Sequence, residues 1–320
     1  MRSEVIFIIN GATHRAGGDA VFQTLSRYLR YEERATGTKI VCEEGDCGAC
    51  TVLVGRREIG GIRYRPLNSC IQFLFQLDGT HIVTVEGLSK NGLTPLQESM
   101  VRCHGAQCGY CTPGFIMAMA VLWEGPRASG LGPRDVRGAL TGNLCRCTGY
   151  EPIIKAALEV DGQPAIRDLY PDVDLPGGDA VRAGNFFRPS TLEEAIGFKA
   201  AHPNCVIVQG ATDFGVWCNK RGFVPEAVLS LDGIGGLDEL RGLELADLFQ
   251  VLDGRKRELG AVEGGHRVPP VHARHLDIMI WSVRSRRPTT GAPPFPGLRY
   301  VHDQLLSPRG WMPGSWRSRR

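Results

Sequence analysis

The sequence predicts a multidomain α+β chain, and three observations carry that expectation. At 320 residues it exceeds what one hydrophobic core usually serves, since cores stop growing near ~250 to 300 residues. The apolar pattern changes along it, from short β-prone runs before about residue 88 to helical spacing afterwards. Eight of the 11 cysteines fall into two tight groups, one in each of those stretches.

Bulk composition narrows the function classes. A formal charge of +3 with 22% charged and 42% hydrophobic residues is ordinary for a globular protein, so no nucleic acid or membrane partner is expected. No apolar run approaches the ~20 residues of a membrane span. The N-terminal run Val5, Ile6, Phe7, Ile8, Ile9 is short and follows Glu4, which does not suit a signal peptide. The expected location is the cytoplasm, where grouped cysteines point to metal rather than disulfides.

Taken in order, residues 5–9 read as a strand, Asn10-Gly11 as a turn, and 21–31 as a helix by apolar spacing. Strands follow at 51–54 and 81–85, closing a small α+β domain near Gly87. From Thr94 the pattern is helical, with Ile116, Met119, Ala120 and Trp123 on one face and a further helix near 152–160. Pro164, Pro171, Pro176 and Gly177-Gly178 mark 161–187 as an extended connector. Beyond it come an amphipathic helix at 191–201 and a short strand at 205–208 running into Gly210. Periodicity fades after Leu231, and from Arg284 to the end there are eight arginines, no lysine and one acid, Asp303.

The first cysteine group is Cys42, Cys47 and Cys50, spaced Cys-x4-Cys-x2-Cys, with Cys70 following after Asn68-Ser69. A loop of three thiolates with a distant fourth is the plant-type 2Fe-2S pattern. One loop must wrap the cluster while its NH groups face the sulfurs, and Gly45 and Gly48 permit that backbone. A structural zinc site is the alternative, although zinc more often takes two Cys-x2-Cys knuckles.

The second group pairs Cys108 and Cys111 with Cys145 and Cys147. Pro113 suits a helix start, whose free NH groups favour an anionic thiolate site. A Cys-x2-Cys with a remote Cys-x-Cys is by itself ambiguous between zinc and iron, and its company with the first group favours iron. Cys103, Cys205 and Cys218 lack partner spacing and read as small buried hydrophobes, and His104 as structural.

Together Gly37-Thr38-Lys39, the first cysteine loop, Asn68-Ser69-Cys70, the stretch 107–114 and the stretch 141–150 resemble the xanthine dehydrogenase and aldehyde oxidase family of molybdenum hydroxylases. The resemblance implies a β-grasp 2Fe-2S ferredoxin domain at 1–88, a four-helix-bundle 2Fe-2S domain at 89–162, a linker at 163–187 and a partial α+β FAD-binding domain at 188–283. An aperiodic arginine-rich tail would occupy 284–320. It continues at Phe187-Arg188-Pro189-Ser190-Thr191 and at Ile207, Val208, Gln209, Gly210, Ala211, Thr212, Asp213 and Phe214, which resemble the opening of the FAD domain and its pyrophosphate loop. A glycine turn there would offer NH groups and a threonine hydroxyl to phosphate oxygens.

The resemblance also implies a mechanism. A purine such as hypoxanthine or xanthine would be hydroxylated at a molybdenum cofactor on a large partner subunit. Electrons would then pass through the helical-domain cluster, the ferredoxin-domain cluster and FAD to NAD. No residue of this chain would act as a catalytic acid or base, and Gln107 would lie near the molybdenum cofactor. A second flavin loop is expected after the segment around His275 to Trp281, yet Thr290-Gly291 runs into Ala292-Pro293-Pro294-Phe295-Pro296. A truncated or shifted reading frame over the last third is the expectation this raises. The rivals are a flavin-free iron-sulfur subunit of the carbon monoxide dehydrogenase type and a structural protein with two zinc sites.

Overall fold

Hairpins supply most of the first sheet. In the computed structural model, which describes residues 1–124, 130–160 and 162–237, β1 (Glu4–Ile9) turns into β2 (Ala12–Gly17). The turn is Asn10 and Gly11, both at positive φ (50° and 90°), the twist a two-residue hairpin requires. β3 (Thr51–Glu58) and β4 (Gly61–Asn68) form the second hairpin, and β5 (His81–Val83) lies between the two in the order β2-β1-β5-β3-β4. β1 and β5 run parallel; the other pairs are antiparallel. β2 and β4 escape the sequence pattern because both are edge strands with mostly solvated side chains, so neither needs an apolar face.

The helix expected over 21–31 is instead a 3-10 turn (Gly18–Phe22), α1 (Leu25–Arg27) and a π turn (Tyr28–Glu32). Tertiary pairing breaks it: Leu25 NH donates to Gln72 O (2.7 Å) and Leu74 NH to Gln23 O (3.0 Å). Gln23 and Thr24 are therefore held extended against a neighbouring segment at the point where a helix would have continued.

α2 (Val85–Leu88) leads to a helical layer of α3 (Pro95–Arg102), α4 (Thr112–Ala120), α5 (Pro133–Ala139) and α6 (Glu151–Leu158). α3 starts at a capping box, with Thr94 NH donating to Gln97 Oε1 (2.9 Å) and Gln97 NH to Thr94 Oγ1 (3.4 Å). Every residue from Gly114 to Ala120 is buried, which makes α4 the central helix. The sheet packs between two cores, and β3 serves both. Leu53 joins Phe115, Met119 and Ile153 on the helical side, while Val52 and Val54 join Phe7, Leu74 and Phe75 on the other. Burial on both faces explains why β3 opens with five buried residues rather than an alternation.

Residues 163–187 differ from the extended connector expected of them. They contain α7 (Ile166–Leu169) and β6 (Val181–Ala183), and buried Tyr170 donates to Gly87 O (2.8 Å). The prolines end elements there without preventing burial. A second sheet follows, made of β6, β7 (Phe186–Arg188), β8 (Val206–Val208) and β9 (Val228–Ser230) in the order β6-β7-β9-β8. α8 (Leu192–Ala201) and α9 (Thr212–Arg221) connect its parallel strands. Asp78, 1% exposed, ties the sheets together: it accepts from Arg2 (2.8 and 2.7 Å), Arg188 (2.6 Å) and Ile6 NH (2.8 Å). A carboxylate so deeply buried requires this many donors. Among the described residues no helix is long and apolar enough to cross a membrane. The expected second flavin loop, the segment around His275 and the arginine-rich tail lie outside the described residues, as does the end of the third region beyond 237.

Two cysteine centres and a candidate flavin loop

The β3–β4 hairpin brings the first group together. Thr51 pairs with Asn68 at its open end, so Cys50, just before β3, and Cys70, in the 3-10 turn Ser69–Ile71 after β4, necessarily meet. The loop 42–50 then folds back over them. Gly45 and Gly48 both take positive φ (80° and 70°), and a Cβ on Gly48 would lie 2.2 Å from Gly142 O. Asn68 Nδ2 holds Gly45 O (2.6 Å), Thr51 Oγ1 holds Gly48 O (2.6 Å) and Ser69 Oγ holds Cys50 O (2.7 Å).

Amide groups face the sulfurs, as the spacing suggests. Cys47 NH points at Cys42 Sγ (3.5 Å). Burial opposes ionisation of Cys42, yet the NH groups of Glu44, Cys47 and Asp46 outweigh it and bring the thiol down to about 7. Cys50 is held below the usual thiol range, chiefly by its contact with Cys70, and Cys70 is pushed up by that same contact and by burial.

In the second centre Cys111 stands directly before α4 and Cys145 precedes α6. Cys147 Sγ lies 3.5 Å from Cys108 Sγ at the exposed edge. Cys145 Sγ meets Thr148 Oγ1 (3.2 Å) and Thr148 NH (3.5 Å), while Tyr150 Oη accepts Cys145 NH (3.1 Å). Burial resists ionisation of Cys145, but the Thr148 hydroxyl and nearby NH groups prevail and lower it. Cys111, in contact with Cys145, is pushed up to about 12, first by burial.

Both centres share one arrangement. The thiols stand in close pairs, Cys42 with Cys47 and Cys50 with Cys70, then Cys108 with Cys147 and Cys111 with Cys145. Among the described residues no three such side chains close into a shell for a single ion. In three of these pairs one thiol is lowered and its partner raised: burial comes first for Cys47 and Cys111, the contact between the two sulfurs comes first for Cys50 and Cys70, and amide or hydroxyl donors lower Cys42 and Cys145. Two pairs per site can supply two thiolates to each iron of a binuclear cluster. The donor set and the inward NH groups therefore fit the 2Fe-2S group.

The centres touch through backbone. Leu144 NH donates to Cys47 O (3.0 Å) and Asn143 Nδ2 to Gly48 O (3.0 Å). A Cβ on Gly114, in the first turn of α4, would lie 2.2 Å from Gly48 O.

The candidate flavin loop joins β8 to α9. Ile207 and Val208 end the strand, Gln209 and Gly210 form an exposed bend, and Ala211 sits in the left-handed region (φ 54°) before Thr212 and Asp213 open the helix. Nothing lies within 4 Å of a Cβ built on Gly210, so a phosphate has room to approach the backbone. Phe214 departs from the rest: its side chain is 4% exposed and packs on Phe73 and Phe75, where it anchors the helix.

Cys205 is buried as a small hydrophobe. Cys103 is half-buried and bonds Glu159 Oε2 (3.0 Å), and burial pushes the half-buried Cys218 thiol up. His104 is exposed at positive φ just after α3, and Gln107 is exposed on the Cys108 loop. Sequence reasoning missed Asn68, Asn143, Thr148 and Tyr150 as supporting groups, although each lies in or beside the quoted motifs. It had no signal for Asn219, whose side chain reaches the first centre from α9.

Residues 84–158 match a family described as a 2Fe-2S binding domain, and residues 181–246 one described as the FAD binding domain in molybdopterin dehydrogenase. Xanthine dehydrogenase of Drosophila pseudoobscura pseudoobscura is 30% identical over 300 residues, 77% of this chain and 22% of that protein. Xanthine dehydrogenase 2 of Arabidopsis thaliana is 43% identical over 157 residues, 48% of this chain and 12% of that protein. The chain thus spans less than a quarter of these relatives. Quinoline 2-oxidoreductase from Pseudomonas putida 86 aligns at 36% identity over 52% of this chain and 93% of that one, with a TM-score of 0.42.

Proposed function

We infer that this chain, which belongs to the xanthine dehydrogenase and aldehyde oxidase family of molybdenum hydroxylases, is an electron-relay subunit that takes electrons from a molybdenum-bearing partner and delivers them through FAD to NAD. The observation that carries the reading is the pairing of thiols in two centres that are joined by the Leu144 to Cys47 hydrogen bond. When bound, two 2Fe-2S clusters supply the one-electron steps that connect a two-electron oxidation to a two-electron flavin.

The chain's own residues do the rest. Cys42 and Cys47 would hold one iron of the first cluster, and Cys50 and Cys70 the other. Cys108 with Cys147 and Cys111 with Cys145 would do the same in the second. Amides at Glu44, Asp46 and Cys47 and the Thr148 hydroxyl stabilise negative charge on sulfur and so favour the reduced state. Gln209, Gly210, Ala211 and Thr212 would bind the flavin pyrophosphate, with Ile207, Val208, Asp213 and Phe214 shaping the loop. The exposed edge of the second centre, with Cys108, Cys147, Gln107 and Tyr110, would face the molybdenum subunit. A reducing cytoplasm suits eight thiols kept for metal.

The reading is tested by co-expressing the chain with a xanthine dehydrogenase large subunit and mixing the complex anaerobically with hypoxanthine. Bleaching of cluster absorbance followed by NADH formation is expected. Bleaching without flavin or NADH would make the chain a flavin-free carrier, and no bleaching in a loaded complex would overturn the relay.

A further inference from the structure

α9 does more than follow the candidate flavin loop. Seven residues beyond Thr212, the carboxamide of Asn219 donates through Nδ2 to Cys70 O (2.7 Å) and to Glu43 O (2.9 Å). These carbonyls belong to opposite arms of the first centre, one on the remote cysteine and one directly after Cys42. Both partners are acceptors, so the NH2 edge is the one that fits. One turn earlier Gly215 rests on Ile71, and a Cβ there would lie 2.7 Å from Ile71 O and 2.8 Å from Ile71 Cβ. The other end of the connection is fixed by Gln76 Nε2, which donates to Gly210 O (3.1 Å).

We propose that Asn219 is a positioning residue that locks the flavin-loop helix onto the first cysteine centre and sets that centre's reduction potential. The proposal rests on the relay reading above and adds a link that reading lacks. Two N–H dipoles point their positive ends into the carbonyls of the ligand loop, so the centre accepts an electron in a less negative surrounding. Replacing them removes that help and frees the two arms to separate. Because α9 begins at the flavin loop, the same loss weakens the loop's hold on flavin. Linkage requires the converse, that flavin occupancy be felt at the first centre and not at the second.

The experiment uses the full chain, purified anaerobically, with Asn219→Leu and Asn219→Asp. Both centres are titrated potentiometrically by electron paramagnetic resonance in one sample, and flavin is measured against iron. In Asn219→Leu the reduction equilibrium of the first centre should fall about tenfold relative to the second, ~59 mV for a one-electron couple. Asn219→Asp, which adds a negative charge, should lower it further, and flavin per iron should fall in both. Loss of the first signal with the second intact would point the same way. Unchanged titrations with unchanged flavin, or a defect shared equally by both centres, would overturn the proposal. An unsubstituted chain without two 2Fe-2S signals would overturn the relay reading, and this inference with it.

Discussion

Single residues in this molecule are tuned by what they touch, and His81 is the clearest case outside the cysteine centres. Its ring is fully buried in β5, with Nδ1 2.7 Å from the Tyr64 hydroxyl and Tyr170 edge-on at 4.7 Å. Nε2 has no hydrogen-bond partner among the described residues. Burial lowers the imidazole from 6.5 to about 4. A group depressed in the folded state costs nothing above its unfolded pKa and destabilises the fold as the pH drops from about 6.5 towards 4. At ~1.36 kcal/mol per unit the cost approaches about 3 kcal/mol. Urea melts of the chain and of His81→Phe at successive pH values should differ by that much more at pH 7 than at pH 4, in favour of the native histidine. Parallel curves would refute the assignment. The residue also shows where reading the sequence stops: His81 looked like an unremarkable member of a strand, because the rings that enclose it come from residues 64 and 170.

Elements succeed or fail here by their contacts, and two glycines on neighbouring helices make the point. Gly114 in α4 has Gly48 O 2.2 Å and Gly48 C 3.1 Å from where a Cβ would sit, both backbone atoms that cannot swing away, whereas Gly138 in α5 has nothing within 4 Å. Gly114→Ala should cost about 1–3 kcal/mol or more and perturb both cluster signals. Gly138→Ala should stabilise by about 0.4–1 kcal/mol through helix propensity and a less flexible unfolded chain. Thermal melts of the two variants should move in opposite directions, and a matched change would contradict the packing described. The same dependence explains which elements were legible. β1, the start of β3, α3, α6 and α8 carry their own periodicity, caps or turn residues. Residues 21–31 have helical spacing but are interrupted at Gln23 and Thr24, where hydrogen bonds join the segment to residues 72 and 74. β2 and β4 lack an apolar face because they are edges. The supposed connector after 163 hides a strand whose partners lie at Arg2 and Phe186 to Arg188.

Across the described molecule the two cysteine centres and α9, which follows the candidate flavin loop, form one connected path. Leu144 meets Cys47, and Asn219 meets Cys70. The short loops 42–50, 108–111 and 145–147 were legible as spacing, whereas Cys70 reaches Cys50 only through the pairing of β3 with β4. The ties between centres were not legible, since Asn143 lies 95 residues from Gly48 and Asn219 149 residues from Cys70, and no local pattern marks such pairs. Phe214 shows a related limit: it lies in the quoted loop but is consumed by the core. A binuclear iron-sulfur cluster and a single zinc ion differ in what they require beside the four thiols, inorganic sulfide for the first and none for the second. The most direct test is to purify the chain anaerobically and measure iron, labile sulfide and zinc on one sample, with electron paramagnetic resonance after reduction. The structure predicts iron and sulfide in equal amounts, about four of each per chain, and two distinguishable 2Fe-2S signals; colourless protein with zinc and no labile sulfide would contradict it.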